Sequence, residues 1–322
     1  SYLVGVGWDN EAGFRLTLGW SHLNLFGGAH AVSVETRFSA REVRFQAGYR
    51  EAGLPLVGMP GYAALYRTDE KYATYSQDRR GLWFEVGDRR PRPLRHWYRF
   101  EYQLVQPDAP DDVLSDLERE DQEILLASLT PAVEWDARDD PLNPRQGIFT
   151  AASLEYAFPL LQAEAEFLRL QTSLVVYRRV GSGSASIAVR ASAIEPLGPD
   201  TGEPANLQIP LSKRFFAGGR VTHRAFDIDT LGIPGQTLDE DGNPLGGNGL
   251  FLLNLEYRKP VFGAIGAVVF LDGGNVWADY ADMRFSEMRW GVGAGVHYET
   301  PAGPLRLEYG HKLDRKEGES SG

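Results

Sequence analysis

The segment with the most distinctive chemistry is Arg214–Phe226, with the sequence RFFAGGRVTHRAF, inside the unusually long connection 196–248. A connection of this length is uncommon in a compact domain unless it has a function. A guanidinium carries a planar fork of donors that matches a carboxylate, so Arg224 is suited to charge pairing. The segment could therefore do electrostatic rather than covalent chemistry.

Catalytic motifs are missing from the sequence. It contains no G-x-S-x-G nucleophile turn, no H-E-x-x-H zinc motif and no phosphate-binding loop. With no cysteine, it has neither disulfides nor thiolate ligands. The histidines are scattered without metal-ligand spacing: His22, His30, His96, His223, His297 and His311. We therefore predict a protein that is not an enzyme and that has no catalytic residue, metal or cofactor.

Composition narrows the class of protein. The chain has 322 residues, is 43% hydrophobic and has a mean hydropathy of −0.32. No stretch approaches the roughly 18 apolar residues of a membrane-spanning helix. A net charge of −11 and a pI near 5.1 argue against a nucleic-acid partner.

Alternation of apolar and polar residues is the main structural signal, and it recurs along the whole chain. In the segment 14–20 the apolar side chains are Phe14, Leu16, Leu18 and Trp20. The segment 289–299 alternates in the same way, with glycines and charged residues on the second face. Such strands suit a barrel with lipid outside and a polar lumen. Aromatic residues at strand ends, such as Trp8, Trp135 and Trp277, would form its interfacial girdles.

Counting these segments predicts an all-β, transmembrane antiparallel β-barrel occupying 1–322. The expected strands are 2–9, 13–22, 29–39, 41–51, 61–70, 79–88, 94–105, 121–136, 147–158, 165–179, 184–195, 249–259, 263–277, 285–299 and 303–313. These are about fifteen, whereas bacterial single-chain barrels have even numbers. We therefore expect a sixteen-stranded barrel whose last strand is absent, in a chain that is part of a longer protein. A soluble protein of repeated hairpins is the alternative, although a lipocalin-like barrel is far shorter and no propeller repeat is present.

The lengths of the connections predict which side each faces. Short turns are expected on the periplasmic side at 23–28, 89–93, 139–146, 260–262 and 301–303. The long loops 106–120 and 196–248 then lie outside, as is usual for such barrels. The loop 106–120 is acidic, and its sequence predicts one short surface helix that begins at Ser115.

The sequence resembles the BamA/TamA-type outer-membrane insertase and translocase superfamily, the bacterial surface antigen barrels. Their inward-folded loop carries Val-Arg-Gly followed by Phe or Tyr; here Arg224 and Phe226 match, while His223 and Ala225 replace Val and Gly. A second match is a D-x-R-D-x-P-x-x-P-x-x-G turn, with Asp136, Arg138, Asp139, Pro141, Pro144 and Gly147 in register. FLDGGNVW and PAGPLRLEYGHKLD also match, so the resemblance covers 130–314.

The resemblance implies a loop folded into the lumen, where Arg224 and Phe226 form a lock with Glu256 and Asp272. Residues expected to support this loop are Arg214, Phe215, Phe216, Gly218 and Gly219. The alternative is that Glu256 and Asp272 are ordinary solvated charges of the lumen. The second match predicts a rigid periplasmic hairpin in which prolines fix φ and Asp side chains accept backbone N–H groups.

The resemblance further implies a weak seam where the first strand, with Gly5 and Gly7, meets the last. An unpaired edge there could template a substrate strand, although the glycines could equally relieve crowding. We expect a bacterial or organellar outer-membrane protein that folds other barrels into that membrane. Its expected partners are membrane lipids, unfolded outer-membrane or secreted polypeptides, and periplasmic, lipoprotein or inner-membrane proteins that contact absent POTRA domains. Alternatives are secretion of one polypeptide substrate, a passive pore, or the anchor of an upstream domain.

Overall fold

The computed structural model describes residues 1–24, 27, 30–72, 75–88, 93–120, 123–199, 201–300, 303–316 and 320, with the backbone alone at 303 and 304. The turns predicted at 23–28, 89–93 and 301–303 lie wholly or partly outside these residues. None of the described helices is long and apolar enough to cross a membrane.

The described residues form fifteen β-strands and one short α-helix, in agreement with the strand count from the sequence. The strands are β1 (Tyr2–Asp9), β2 (Gly13–Leu23), β3 (His30–Phe38), β4 (Glu42–Glu51), β5 (Gly61–Lys71), β6 (Ser76–Asp88), β7 (Leu94–Asp108), β8 (Ile124–Asp136), β9 (Gly147–Ala157), β10 (Phe167–Val180), β11 (Gly183–Pro196), β12 (Gly249–Phe262), β13 (Ile265–Trp277), β14 (Arg289–Thr300) and β15 (Gly303–Lys312). The helix α1 (Asp116–Glu120) lies between β7 and β8. The predicted start of β14 at residue 285 is wrong, because Phe285–Glu287 forms a 3-10 turn.

Each strand pairs with its neighbours in sequence, so the sheet has the order β1 to β15. The pairs with a defined register are antiparallel; Asn254 of β12 faces Asp272 of β13, and Gly293 of β14 faces Gly310 of β15. Two-residue turns join β10 to β11 and β12 to β13. Gly181 and Gly263 adopt φ of 58° and 55° there, the left-handed conformation that tight hairpins require.

The chain divides into two compact units. Unit 1 comprises 1–133, 153–169 and 195–213, and unit 2 comprises 134–152, 170–194 and 214–322. In unit 1, one face of β1 carries Val4, Val6 and Trp8, which are between 70% and 73% exposed. In unit 2, Val296 of β14 and Leu307 of β15 are 50% and 75% exposed. Large apolar side chains exposed at alternate positions of successive strands are typical of a sheet that faces lipid.

The aromatic girdle expected at the strand ends is only partly present. Trp8 and Trp135 are exposed, as a girdle requires. Trp277 is buried instead, and its indole N–H donates to Glu287 Oε2 at 2.8 Å. The prediction for Trp277 is therefore wrong, because the connection after β13 folds over it.

Candidate functional site

In unit 2 the long connection begins with a short ladder that brings its two ends together. Phe215 donates its backbone N–H to Gly247 at 2.8 Å and accepts the N–H of Gly247 at 3.0 Å. The buried Arg214 donates from Nη1 to the carbonyl of Leu245 at 2.9 Å. The ring of Phe216 lies against Gly246, where a Cβ would approach it to 2.6 Å. These contacts hold the segments 214–216 and 245–247 together at the base of the loop.

Two glycines then turn the chain toward its tip. Gly218 and Gly219 have φ of 118° and 87°, which L side chains rarely adopt. A Cβ on Gly218 would lie 2.1 Å from the carbonyl oxygen of Asp227, so the turn excludes a side chain there. Gly219 donates its N–H to the Phe226 carbonyl at 2.8 Å and accepts that of His223 at 3.1 Å. The tip 219–226 is thereby closed on itself.

Arg224 lies at this tip and binds Asp272 through both ends of its guanidinium. Nε donates to Oδ2 at 2.9 Å and Nη2 to Oδ1 at 2.8 Å, while the backbone N–H of Arg224 donates to Oδ2 at 3.0 Å. Asn254 donates to Asp272 Oδ1 at 2.9 Å and to the Thr222 carbonyl at 2.8 Å. Asp272 is fully buried, so these donors replace the water that its charge requires.

Two more carboxylates share the remaining nitrogen of the guanidinium. Nη1 donates to Glu256 Oε2 at 2.6 Å and to Glu308 Oε2 at 3.2 Å. The centre of the guanidinium lies 3.5 Å above the ring of Phe270. One side chain of the loop therefore contacts β12, β13 and β15 together.

The strand register explains why these side chains converge. Asn254 faces Asp272, and Glu256 faces Phe270, so alternate residues of β12 and β13 project on one face. We call this the loop face: Asn254, Glu256, Phe270, Asp272 and Glu308. Gly291 and Gly293 leave space on this face for the loop tip and for the Phe270 ring. A Cβ on Gly291 would lie 2.5 Å from Ala225 Cβ, and a Cβ on Gly293 would lie 2.1 Å from the Phe270 ring.

The electrostatics of the tip favour a charged Arg224. Burial lowers the pKa of its guanidinium, but the hydrogen bonds and charges of Asp272 and Glu256 more than offset that effect and raise the pKa above its usual value. Arg224 is 10% exposed and its partners Glu256 and Glu308 are 10% and 18% exposed, so water screens these charges little. The contacts thus hold the loop by interactions that need no metal ion.

Phe226 packs beyond the guanidinium and completes the tip. Its ring meets the buried imidazole of His223 edge-on with centroids 4.8 Å apart. Arg289 and Lys312 place their charges 4.9 and 4.5 Å from the centre of that ring. Burial lowers the pKa of His223 below its usual value. Phe226 thus fills a recess that is lined by the His223 ring and by the two cations Arg289 and Lys312.

The first part of the long connection is anchored in unit 1, by residues that the sequence did not single out. Lys213 Nζ donates to Glu155 Oε1 at 2.5 Å, and both side chains are at least nine-tenths buried. The buried Glu118 of α1 accepts the backbone N–H of Leu211 at 3.0 Å and that of Ser115 at 3.0 Å. The helix begins after Ser115 as predicted; it exposes Arg119 and Glu120 and buries Glu118, which supports the connection.

The predicted turn motif lies between β8 and β9 and is rigid. Arg138 donates to both oxygens of Asp136 at 2.8 and 2.7 Å, and more weakly to the Pro141 carbonyl at 3.4 Å. Asp139 Oδ1 accepts three backbone N–H groups, from 140, 145 and 146, at 2.9 to 3.1 Å. Pro144 is buried within the turn, and Gly147 has φ of 116°.

Gly5 and Gly7 lie in β1, opposite Thr17 and Arg15 of β2. A Cβ would have ordinary contacts at both positions, 3.6 Å from Thr17 Cβ and 3.9 Å from Arg15 Nε. Among the described residues, nothing crowds these glycines. Relief of crowding therefore does not explain them here.

Within the described ranges, no three His, Asp or Glu side chains are grouped to hold a metal ion. The site is a network of one arginine, three carboxylates and an amide on the loop face. It can fix the loop tip against three strands.

A model of the Omp85 superfamily domain matches residues 24–321. The chain is 22% identical over 324 residues to the outer membrane protein assembly factor BamA of Nitratidesulfovibrio vulgaris, which covers 98% of this chain and 39% of that protein. The chain therefore belongs to the Omp85 superfamily, and it spans about two fifths of the length of this curated relative.

Solved structures share the fold. The crystal structure of BamA from Haemophilus ducreyi, lacking POTRA domains 1–3, matches with a TM-score of 0.82 at 16% identity, covering 99% of this chain and 67% of that one. CdiB from Escherichia coli matches with 0.60 at 16% identity over 98% of this chain and 59% of that one. CdiB from Acinetobacter baumannii matches with 0.57 at 12% identity over 99% and 56%. Family and fold together make this an outer-membrane β-barrel protein.

Proposed function

We propose that this chain is the membrane domain of an assembly factor that folds other β-barrel proteins into the outer membrane. A substrate strand would pair with β1 and enter the bilayer beside it. An alternative function is secretion of a polypeptide. The structural similarity to CdiB is compatible with this alternative.

The observation that carries the proposal is the weakness of β1, the first strand in the sheet order, which pairs with β2. β1 has eight residues and two glycines, and glycine weakens a strand because it has no side chain to pack. An unpaired edge can add an incoming strand through backbone hydrogen bonds, which do not depend on the sequence of the partner.

The Arg224 network supports a mechanism in which one part of the sheet stays fixed. The network ties the loop tip to β12, β13 and β15, whereas β1 lies at the other end of the strand order. A region held in this way, together with a weak first strand, would let that strand move without unfolding the rest. No nucleotide is needed, because burial of the substrate's apolar face in lipid favours insertion.

The test uses the absence of native cysteines, which makes any introduced thiol unique. Val6→Cys places a thiol on β1, and Val296→Cys places a matched thiol on β14, which already has two partner strands. The protein in liposomes is mixed with an unfolded eight-stranded outer-membrane protein carrying one cysteine in its last strand. We expect faster appearance of the heat-resistant folded substrate and a disulfide at Val6→Cys but not at Val296→Cys.

Two other outcomes have a clear meaning. Substrate that reaches the liposome interior without becoming heat-resistant would indicate a translocator. Equal cross-linking at both positions, or folding no faster than in empty liposomes, would contradict pairing at β1.

A further inference from the structure

A small basic cavity lies in unit 2. Its volume is about 90 Å³, and three connections line it: the β8–β9 turn, the β10–β11 hairpin and the β12–β13 hairpin. These are on the side expected to face the periplasm. No residue of the loop tip 219–226 lines the cavity.

Positive charge dominates its lining. Arg145, Arg258 and Lys259 contribute three cations, against one carboxylate from Glu299. Arg258 binds Glu256, while Glu299 lies 3.8 Å from His297. In the described part of the chain, no carboxylate is within ion-pair distance of Arg145 or Lys259. Two of the three cations in the lining, Arg145 and Lys259, therefore have no ion-pair partner among those residues.

Uncharged hydrogen-bond donors and a glycine give the cavity its shape. Asn143, Ser182 and Ser184 also line it and can donate hydrogen bonds. A Cβ on Gly266 would lie 2.2 Å from the His297 ring, so glycine alone lets that ring reach the lining. Donors from three separate turns thus converge on one small space, which suits a compact anion with several acceptor oxygens.

The rigid turn supplies the preorganisation. Asp139 Oδ1 accepts the backbone N–H of Arg145 at 2.9 Å, which fixes the backbone of a residue that lines the cavity. Preorganised donors lose less entropy when they bind a ligand. This gives the turn motif a second role beyond joining two strands.

The outer surface beside the cavity is strongly apolar. Val261 and Phe262, next to Lys259, are 66% and 80% exposed, and Tyr298, next to His297, is 51% exposed. In an outer-membrane protein such side chains contact lipid chains. An anion held here would lie at the level of the headgroups.

We infer that this cavity binds a phosphate group, and that a phospholipid of the adjoining leaflet supplies it. Arg145 and Lys259 would offset the phosphate charge, while Asn143, Ser182 and Ser184 donate to its oxygens. Inorganic phosphate has the same chemistry and is the other source that the test separates.

The experiment measures bound lipid by native mass spectrometry of the detergent-solubilised protein, with dioleoylphosphatidylglycerol as probe. The double variant Arg145→Gln/Lys259→Gln should lower the affinity about thirtyfold, as expected for the loss of two cations near an anionic headgroup. Arg284→Gln removes an exposed arginine on the β13–β14 connection and should change nothing. Arg145→Gln alone serves as a milder variant, and heat-resistant migration shows that each one folds.

Inorganic phosphate is then added as a competitor. Displacement of the lipid from the wild type would support the site with phospholipid as its ligand. Binding of phosphate without lipid, lost in the double variant, would support the site with free phosphate as its ligand. Unchanged binding in the double variant, or an equal loss in Arg284→Gln, would overturn the inference.

Discussion

Gly310 of β15 lies directly beneath the backbone of Arg224. A Cβ built on Gly310 would lie 2.5 Å from the Arg224 carbonyl oxygen and 2.8 Å from the N atom of Ala225. The loop tip therefore rests on the bare backbone of a strand, and the position of the guanidinium depends on a residue that carries no charge.

Gly310→Ala should displace the loop tip while leaving every charged group of the network in place. Overpacking of this kind costs about 1–3 kcal/mol. Denaturant unfolding would measure the loss, and limited proteolysis would detect the displaced loop. Gly7→Ala is the matched control, because a Cβ there has ordinary contacts. Equal effects at both positions would contradict the role given to Gly310.

Arg224→Ala should destabilise the protein by about 3–5 kcal/mol, because it leaves the charge of the fully buried Asp272 without its main partner. Arg224→Lys should recover only part of this loss, since an ammonium cannot form the two parallel hydrogen bonds. Denaturant unfolding of both variants tests the difference.

Asp272→Ala combined with Arg224→Ala should cost less than the sum of the two single changes. The two residues act as one pair, and a double-mutant cycle measures their coupling. Additive effects would show that the loop is held by other contacts.

Glu118→Ala should expose the first part of the loop in unit 1. It removes the acceptor of the Leu211 N–H, and a buried unsatisfied donor costs about 1–3 kcal/mol. Faster hydrogen exchange at the Leu211 amide is the expected result. Glu120→Ala changes an exposed residue of the same helix and should leave that amide protected. Protection that survives in Glu118→Ala would contradict the anchoring role.

The turn at Asp139 should weaken in acid. The backbone N–H groups of Arg145 and Gln146 lower the pKa of the Asp139 carboxyl. A carboxylate with a lowered folded pKa stabilises the fold above its unfolded pKa of about 3.9 and loses that contribution as the pH falls through the folded value. Amide protection at Arg145 and Gln146 should thus hold at neutral pH and fall below about pH 4. Asp139→Asn should abolish this pH dependence, whereas an unchanged profile would assign it to another group.

The strands were predictable because alternation is a local property of the sequence. Apolar residues at every second position place Val4 and Val6 on one face whichever strand pairs with β1. The boundary of β14 was missed because the 3-10 turn at Phe285–Glu287 depends on its own backbone hydrogen bonds.

The site was only partly predictable. The resemblance pointed to Arg224, Glu256 and Asp272, and the structure brings them together. Glu308 and the Lys213–Glu155 pair were missed, because their contacts join residues far apart in the chain and leave no periodic signal. Gly310 was also missed: a glycine that makes room for a distant backbone looks like any other glycine in a strand.

The three carboxylates that bind Arg224 also define how mechanical load would pass through this region. Among the hydrogen bonds of the guanidinium, β15 accepts one of 3.2 Å through Glu308, whereas β13 accepts the two-pronged contact through Asp272. The weakest of these hydrogen bonds thus belongs to the last strand in the sheet order. Under tension β15 would separate from the guanidinium first, and the loop would stay seated on β12 and β13 while the end of the sheet moves.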